Sequence, residues 1–152
     1  MFRQIVEGLF ASPQIGLAEV EQARAQGITL IINNRPEDES PDQTPGAEIE
    51  AAARGAGIDY VAIPVTHAGF SEPQVAAMAA ALEQATGPVL AYCRSGTRST
   101  LLWALARASR GASPDELAAA AAGGGYDVAP IRPLLDMLAG RAGAAAAEDG
   151  PA

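Results

Sequence analysis

The stretch Pro88-Val89-Leu90-Ala91-Tyr92-Cys93-Arg94-Ser95-Gly96-Thr97-Arg98-Ser99 constrains this chain more than any other. Val89 to Tyr92 reads as a short buried strand, the residues around Cys93 as a tight loop, and Leu101 to Arg110 as a helix. A chain that passes so quickly from strand to helix aims the loop's backbone N–H groups from the helix's positive end. The result is a place that can hold an anion beside a sulfur.

Each residue type in the loop has a physical use. Cys93 is the candidate nucleophile, because a helix N-terminus with two arginines nearby favours the reactive thiolate over the thiol. Gly96 can take a positive φ, which lets successive N–H groups curl inward as a nest. Arg98 can grip two oxygens of a phosphate, sulfate or thiosulfonate at once, which a lysine cannot. Ser95, Thr97 and Ser99 add hydroxyls; Ser99 or Thr97 can bond the thiolate or cap the helix. Arg94 either joins the anion loop or faces solvent. The plain alternative is a buried cysteine at the end of a core strand, followed by an ordinary helix cap.

Composition narrows the chemistry. With 152 residues and 49% hydrophobic content the chain suits one well-buried domain. All ten basic residues are arginine, which removes Schiff-base lysine chemistry and any phosphate loop that needs lysine. One histidine and one cysteine are too few soft ligands for a structural zinc site, and no cofactor is expected. A net charge of −8 opposes nucleic acid, so an anionic substrate depends on a local positive pocket. No leader-like or membrane-spanning run is evident, and a single cysteine fits a reducing compartment; the expected location is cytoplasmic, without membrane contact. Cys93 has no resolving partner in its own chain, so whatever it picks up must leave to another molecule.

Strand and helix signals alternate. Leu9 to Ser12 reads as a short strand at a possible sheet edge, Leu17 to Gln26 as a helix closed by Gly27, and Ile28 to Ile32 as a central strand ending in Asn33-Asn34-Arg35. Pro36 to Pro45 is acidic and nearly free of apolar residues, as expected of a mobile surface loop. A helix over 46–55, a strand over 58–63 and a capped helix from Ser71 to about Ala85 lead into the catalytic strand. Beyond it lie an alanine helix opened by Ser113-Pro114 and a last helix from Pro130 to about Leu138. The domain is expected to span 1–140, with 141–152 a disordered, Ala- and Gly-rich tail. The alternation implies a mostly parallel α/β sheet.

The spacing Cys93-x4-Arg98 resembles the active loop of rhodanese-type sulfurtransferases, whereas tyrosine and dual-specificity phosphatases place five residues between cysteine and arginine. The scaffold resembles the phosphatases instead. Ile28 to Pro36, Tyr60-x-x-Ile63-Pro64-Val65, and Ser113-Pro114-Asp115-Glu116 with Gly125-Tyr126-Asp127 look like dual-specificity-phosphatase landmarks. Together these features resemble the phosphatase-like domain of beta-lactamase-hydrolase-like proteins, DUF442. That resemblance implies a central, mostly parallel sheet of four to five strands flanked by helices, and members have been linked both to phosphatases and to sulfur transfer.

Phosphatases of this fold place an aspartic acid after the Ile-Pro-Val strand to protonate the leaving alcohol; here the loop is Thr66-His67-Ala68-Gly69-Phe70. An alkoxide leaves poorly without an acid, whereas a sulfane sulfur is released from sulfite or a low-pKa thiolate unaided. The first expectation is therefore a rhodanese-like sulfurtransferase. Its Cys93 persulfide would be charged by thiosulfate or a persulfide and discharged to a thiol acceptor such as glutathione. The alternative is a phosphatase working on phosphate esters through a cysteinyl phosphate, and the non-enzymatic alternative is an anion-binding or redox-sensing module. His67 is either the proton donor or a surface histidine. Arg35 either helps hold anions or pairs with Glu37 or Asp38. Glu72 is a weaker acid candidate, and Leu101, Trp103 and Leu105 read as core. The oligomeric state is left open.

Overall fold

A computed structural model describes residues 1–148. The continuous apolar runs become the middle of a five-stranded sheet. In chain order the strands are β1 (Arg3–Val6), β2 (Leu9–Ser12), β3 (Leu30–Asn33), β4 (Asp59–Ala62) and β5 (Val89–Tyr92). They lie side by side as β1-β2-β5-β3-β4. The β2, β5, β3 and β4 neighbours are parallel, and β1 alone runs antiparallel, against β2. Every residue of β3 and β5 is buried, as strands covered on both faces require.

Alternation along each strand divides the core between the two faces. Leu30, Ile32, Val89 and Ala91 join α3 (Glu72–Gln84), α4 (Thr97–Ser109), α5 (Pro114–Gly123) and α6 (Arg132–Glu148) on one side. Ile31, Leu90 and Tyr92 join α1 (Leu17–Ala25) and α2 (Gly46–Gly55) on the other. Helix α4 is the hub of the first face. Residues Ser99 to Ala106 and Ala108 are all buried, Leu101, Trp103 and Leu105 among them, and each large side chain contributes about 2 kcal/mol by leaving water.

Three expectations change. Strand β2 is not an edge: β1 covers it, and β1 offered little signal because only Ile5 of its four residues is buried. Helix α4 begins at Thr97 rather than Leu101, because Gly96 already serves as its N-cap. The chain from 141 to 148 continues α6 instead of forming a disordered tail; its alanines are the strongest helix formers, and 149–152 lie outside the described residues. Among the described residues no helix is long and apolar enough to cross a membrane.

Candidate active site

The parallel strands end level with one another, so the segments leaving β2, β3 and β5 meet at one edge of the sheet. Cys93 follows β5 directly and is fully buried, its N–H donating to Ser12 O at 3.3 Å. The N–H of Gln14 holds the next carbonyl, Arg94 O, at 3.3 Å. Gly96 has φ 93°, a left-handed conformation that bends the loop back, and its N–H points at Cys93 Sγ from 3.1 Å. Ser95 Oγ accepts the Thr97 N–H at 3.3 Å and donates to Thr97 Oγ1 at 3.0 Å, which steadies the helix start. Ser99 is buried, and its Oγ has no partner among the described residues. The Arg94 side chain is exposed.

Arg98 is the second residue of α4, with a fifth of its side chain exposed. Its Nη1 donates to Val65 O at 2.7 Å and to Glu39 Oε2 at 2.8 Å, and its Nη2 to Glu39 Oε1 at 2.8 Å. A guanidinium carries five N–H donors. Among the described residues the Nε–H and one Nη2–H are left without an oxygen partner, the parallel pair that can bind two oxygens of one anion. Asn34, buried just past the end of β3, positions Val65: its Nδ2 donates to Ile63 O at 2.9 Å and its backbone carbonyl accepts the Val65 N–H at 3.0 Å.

Segment 36–45 is not the free surface loop its composition suggested. Glu39 joins Arg98 to Arg35, whose Nε donates to Glu39 Oε1 at 2.9 Å. Arg35 is 4% exposed; its Nη1 donates to Gln14 Oε1 at 3.0 Å and its Nη2 to Ser40 Oγ at 3.1 Å. Three of its five N–H donors are so engaged, and the acid that Arg35 pairs with is Glu39 rather than Glu37 or Asp38. Glu37 turns the other way and caps α2, accepting the Gly46 N–H at 2.8 Å. The Arg98 hydrogen bonds, helped by Arg35 and opposed by burial, hold the Glu39 carboxyl down at a pKa of about 2. Glu39 in turn raises the Arg98 pKa, and the nearby Cys93 sulfur adds to that shift.

The sequence candidates divide accordingly. Cys93, Ser95, Gly96, Thr97, Arg98 and Ser99 form one loop and helix start, with Arg94 at its surface. His67 is exposed on the turn 66–69, two residues beyond the carbonyl that holds Arg98. Glu72 lies elsewhere, in the first turn of α3, as half of an exposed pair with Arg141 at 3.3 Å. Sequence reasoning missed Glu39, whose partner Arg98 lies 59 residues away, and Gln14, whose partner Arg35 lies 21 residues away.

A cysteine cradled at the mouth of a parallel sheet, with an arginine in the first turn of the next helix, is the arrangement of the tyrosine and dual-specificity phosphatase fold. Kinase associated phosphatase shares this architecture at a TM-score of 0.73 and 16% identity, covering 94% of each chain, a likeness of fold alone. The chain belongs to the family described as beta-lactamase hydrolase-like protein, phosphatase-like domain, whose model matches residues 1–110. The beta-lactamase hydrolase-like protein of Agrobacterium fabrum is 37% identical over 108 residues, which cover 71% of this chain and 25% of the relative. The chain thus spans about a quarter of that longer protein. A Neisseria meningitidis protein provisionally named a phosphatase matches at TM-score 0.79 and 36% identity, over 90% of this chain and 96% of its own.

Proposed function

We propose that this chain is a cysteine-dependent phosphatase acting on phosphate monoesters. The observation that carries the reading is the free Nε–H/Nη2–H edge of Arg98, held by Glu39 and Val65 beside a sulfur that also receives the Gly96 N–H. The Cys93 thiolate attacks phosphorus in line, the S–P bond forms as the ester P–O bond breaks, and the departing oxygen takes a proton from solvent or from His67. Water then displaces the thiolate from the cysteinyl phosphate and releases inorganic phosphate. Arg98 and the loop N–H groups stabilise the equatorial oxygens as charge builds on them. The phosphatase names carried by the Neisseria relative and the family model support this reading by analogy.

Sulfur transfer is the second reading, and one observation favours it. The loop from Thr66 to Phe70 holds no carboxylic acid, and Glu39 is too strong an acid, and too tightly held, to donate a proton near neutrality. If phosphate is the substrate, the same observation predicts aryl phosphates, whose phenolates leave readily, to be hydrolysed well ahead of alkyl phosphates. Intact-protein mass spectrometry beside a phosphate-release assay separates the readings, with Cys93→Ser as control. Cys93-dependent phosphate release supports the phosphatase. A one-sulfur adduct from thiosulfate or glutathione persulfide, discharged by a thiol, without phosphate release, replaces it with the sulfurtransferase.

A further inference from the structure

Tyr126 lies outside the loop, just past the end of α5, yet its hydroxyl donates to the carbonyl oxygen of Ser95 at 3.2 Å. That carbonyl belongs to the same peptide unit as the Gly96 N–H, which points at Cys93 Sγ. In a planar trans peptide the C=O and N–H face opposite ways. A bond that draws the Ser95 oxygen outward therefore turns the Gly96 N–H inward. The opposite orientation would aim a carbonyl dipole's negative end at the sulfur and destabilise a thiolate there.

Two further contacts fix the tyrosine. A Cβ on residue 96 would collide with the Tyr126 hydroxyl, so the ring closes directly over the glycine. The Arg3 guanidinium lies over the ring, 5.8 Å from its centroid, and Arg3 Nη1 donates to Gly124 O at 3.1 Å. The edge strand β1 thus holds the turn that holds the loop.

We infer that Tyr126 is a positioning residue that latches the Ser95–Gly96 peptide with its N–H toward Cys93 and so favours the thiolate. Among the described residues no hydrogen bond joins its hydroxyl to the sulfur; it acts through one peptide plane. The inference rests on the reading of Cys93 as the nucleophile, and the experiment separates the two. Because Cys93 is the sole cysteine, alkylation of the whole protein by iodoacetamide, followed by intact mass from pH 5 to 9, reports that residue alone.

Tyr126→Phe keeps the ring and removes only the hydroxyl, and circular dichroism checks that the fold is retained. The expected result is alkylation about tenfold slower than wild type at pH 6, with the rate profile moved up by about one pH unit and the two proteins converging at high pH. Each rate is taken as a fraction of that protein's own high-pH plateau, because Cys93 is buried and access slows alkylation at every pH. Superimposable profiles, with a wild type that keeps a larger fraction of its plateau at pH 6 than a free thiol does, overturn the latch alone. A wild type that keeps no larger a fraction than a free thiol overturns the nucleophile and the latch together. In the wild type, the Gly96 amide proton resonance is expected to shift with pH through the same range as the alkylation profile. A resonance that does not move overturns the inward N–H, whatever becomes of the variant.

Discussion

The segments leaving β5 and β3 reach Arg98 from neighbouring strands and are built in opposite ways. After β5 the chain turns in a few residues, and backbone groups act: the Gly96 N–H meets the sulfur and α4 starts at once. After β3 the chain wanders through an acidic stretch in which side chains act. Glu39 binds two arginines, Gln43 Nε2 donates to Pro36 O at 2.8 Å, and Gln43 Oε1 accepts the Glu39 N–H at 3.0 Å. The difference teaches that an anion cradle has two kinds of parts. Backbone donors come with the fold, whereas the arginine is oriented by acceptors brought from elsewhere, the Val65 carbonyl and the Glu39 carboxylate.

Substitutions test that division, and the backbone side carries the largest effect. Cys93→Ser is expected to lower phosphate release by about 10⁴-fold or more with a thermal midpoint near wild type, because the hydroxyl is nearly isosteric but barely ionised. Arg98→Lys is expected to cost about 10²-fold in kcat/KM, since charge survives and the planar fork does not. Steady-state kinetics on an aryl phosphate measure both.

Glu39→Gln probes the side-chain half. It is expected to lower kcat/KM about tenfold and unfolding free energy by on the order of 2 kcal/mol at neutral pH. The sign with pH follows from the carboxyl's shift from 4.5 down to about 2. The pair's contribution is whole above about pH 4.5 and is lost as pH falls through about 2. Urea unfolding of the two proteins should therefore show a constant gap above pH 5 that closes toward pH 2. The smallest effect is expected at His67→Ala, within about threefold on an aryl phosphate, because a phenolate needs little protonation. A large loss there would make the exposed turn a third working part.

How far the sequence reveals this arrangement depends on the range of the interaction. Strands β3 and β5 are legible because burial on both faces demands continuous apolar residues. The Cys93 to Arg98 loop is legible because its chemistry is local. Strand β1 is not, since an edge strand with one buried side chain shows no alternation. Glu39 is hidden for another reason: it is one acid among several in an aperiodic stretch, and Arg98 lies 59 residues away. Arg35 pairs four residues on, with Glu39, because Glu37 is committed to α2 while Asp38 sits at φ 62°. The alanines past 141 favour helix by propensity, a signal that their low bulk and proximity to the terminus obscured.

Helix α4 is enclosed almost all round, and this sets how the site comes apart. Amide hydrogens in a core helix exchange with solvent only when the whole molecule opens, whereas a segment tied down by side chains can detach in a smaller event. In deuterated water, protection is expected to vanish from 36–45 long before it vanishes from 99–108. The half of the site that carries the sulfur outlasts the half that carries the carboxylate.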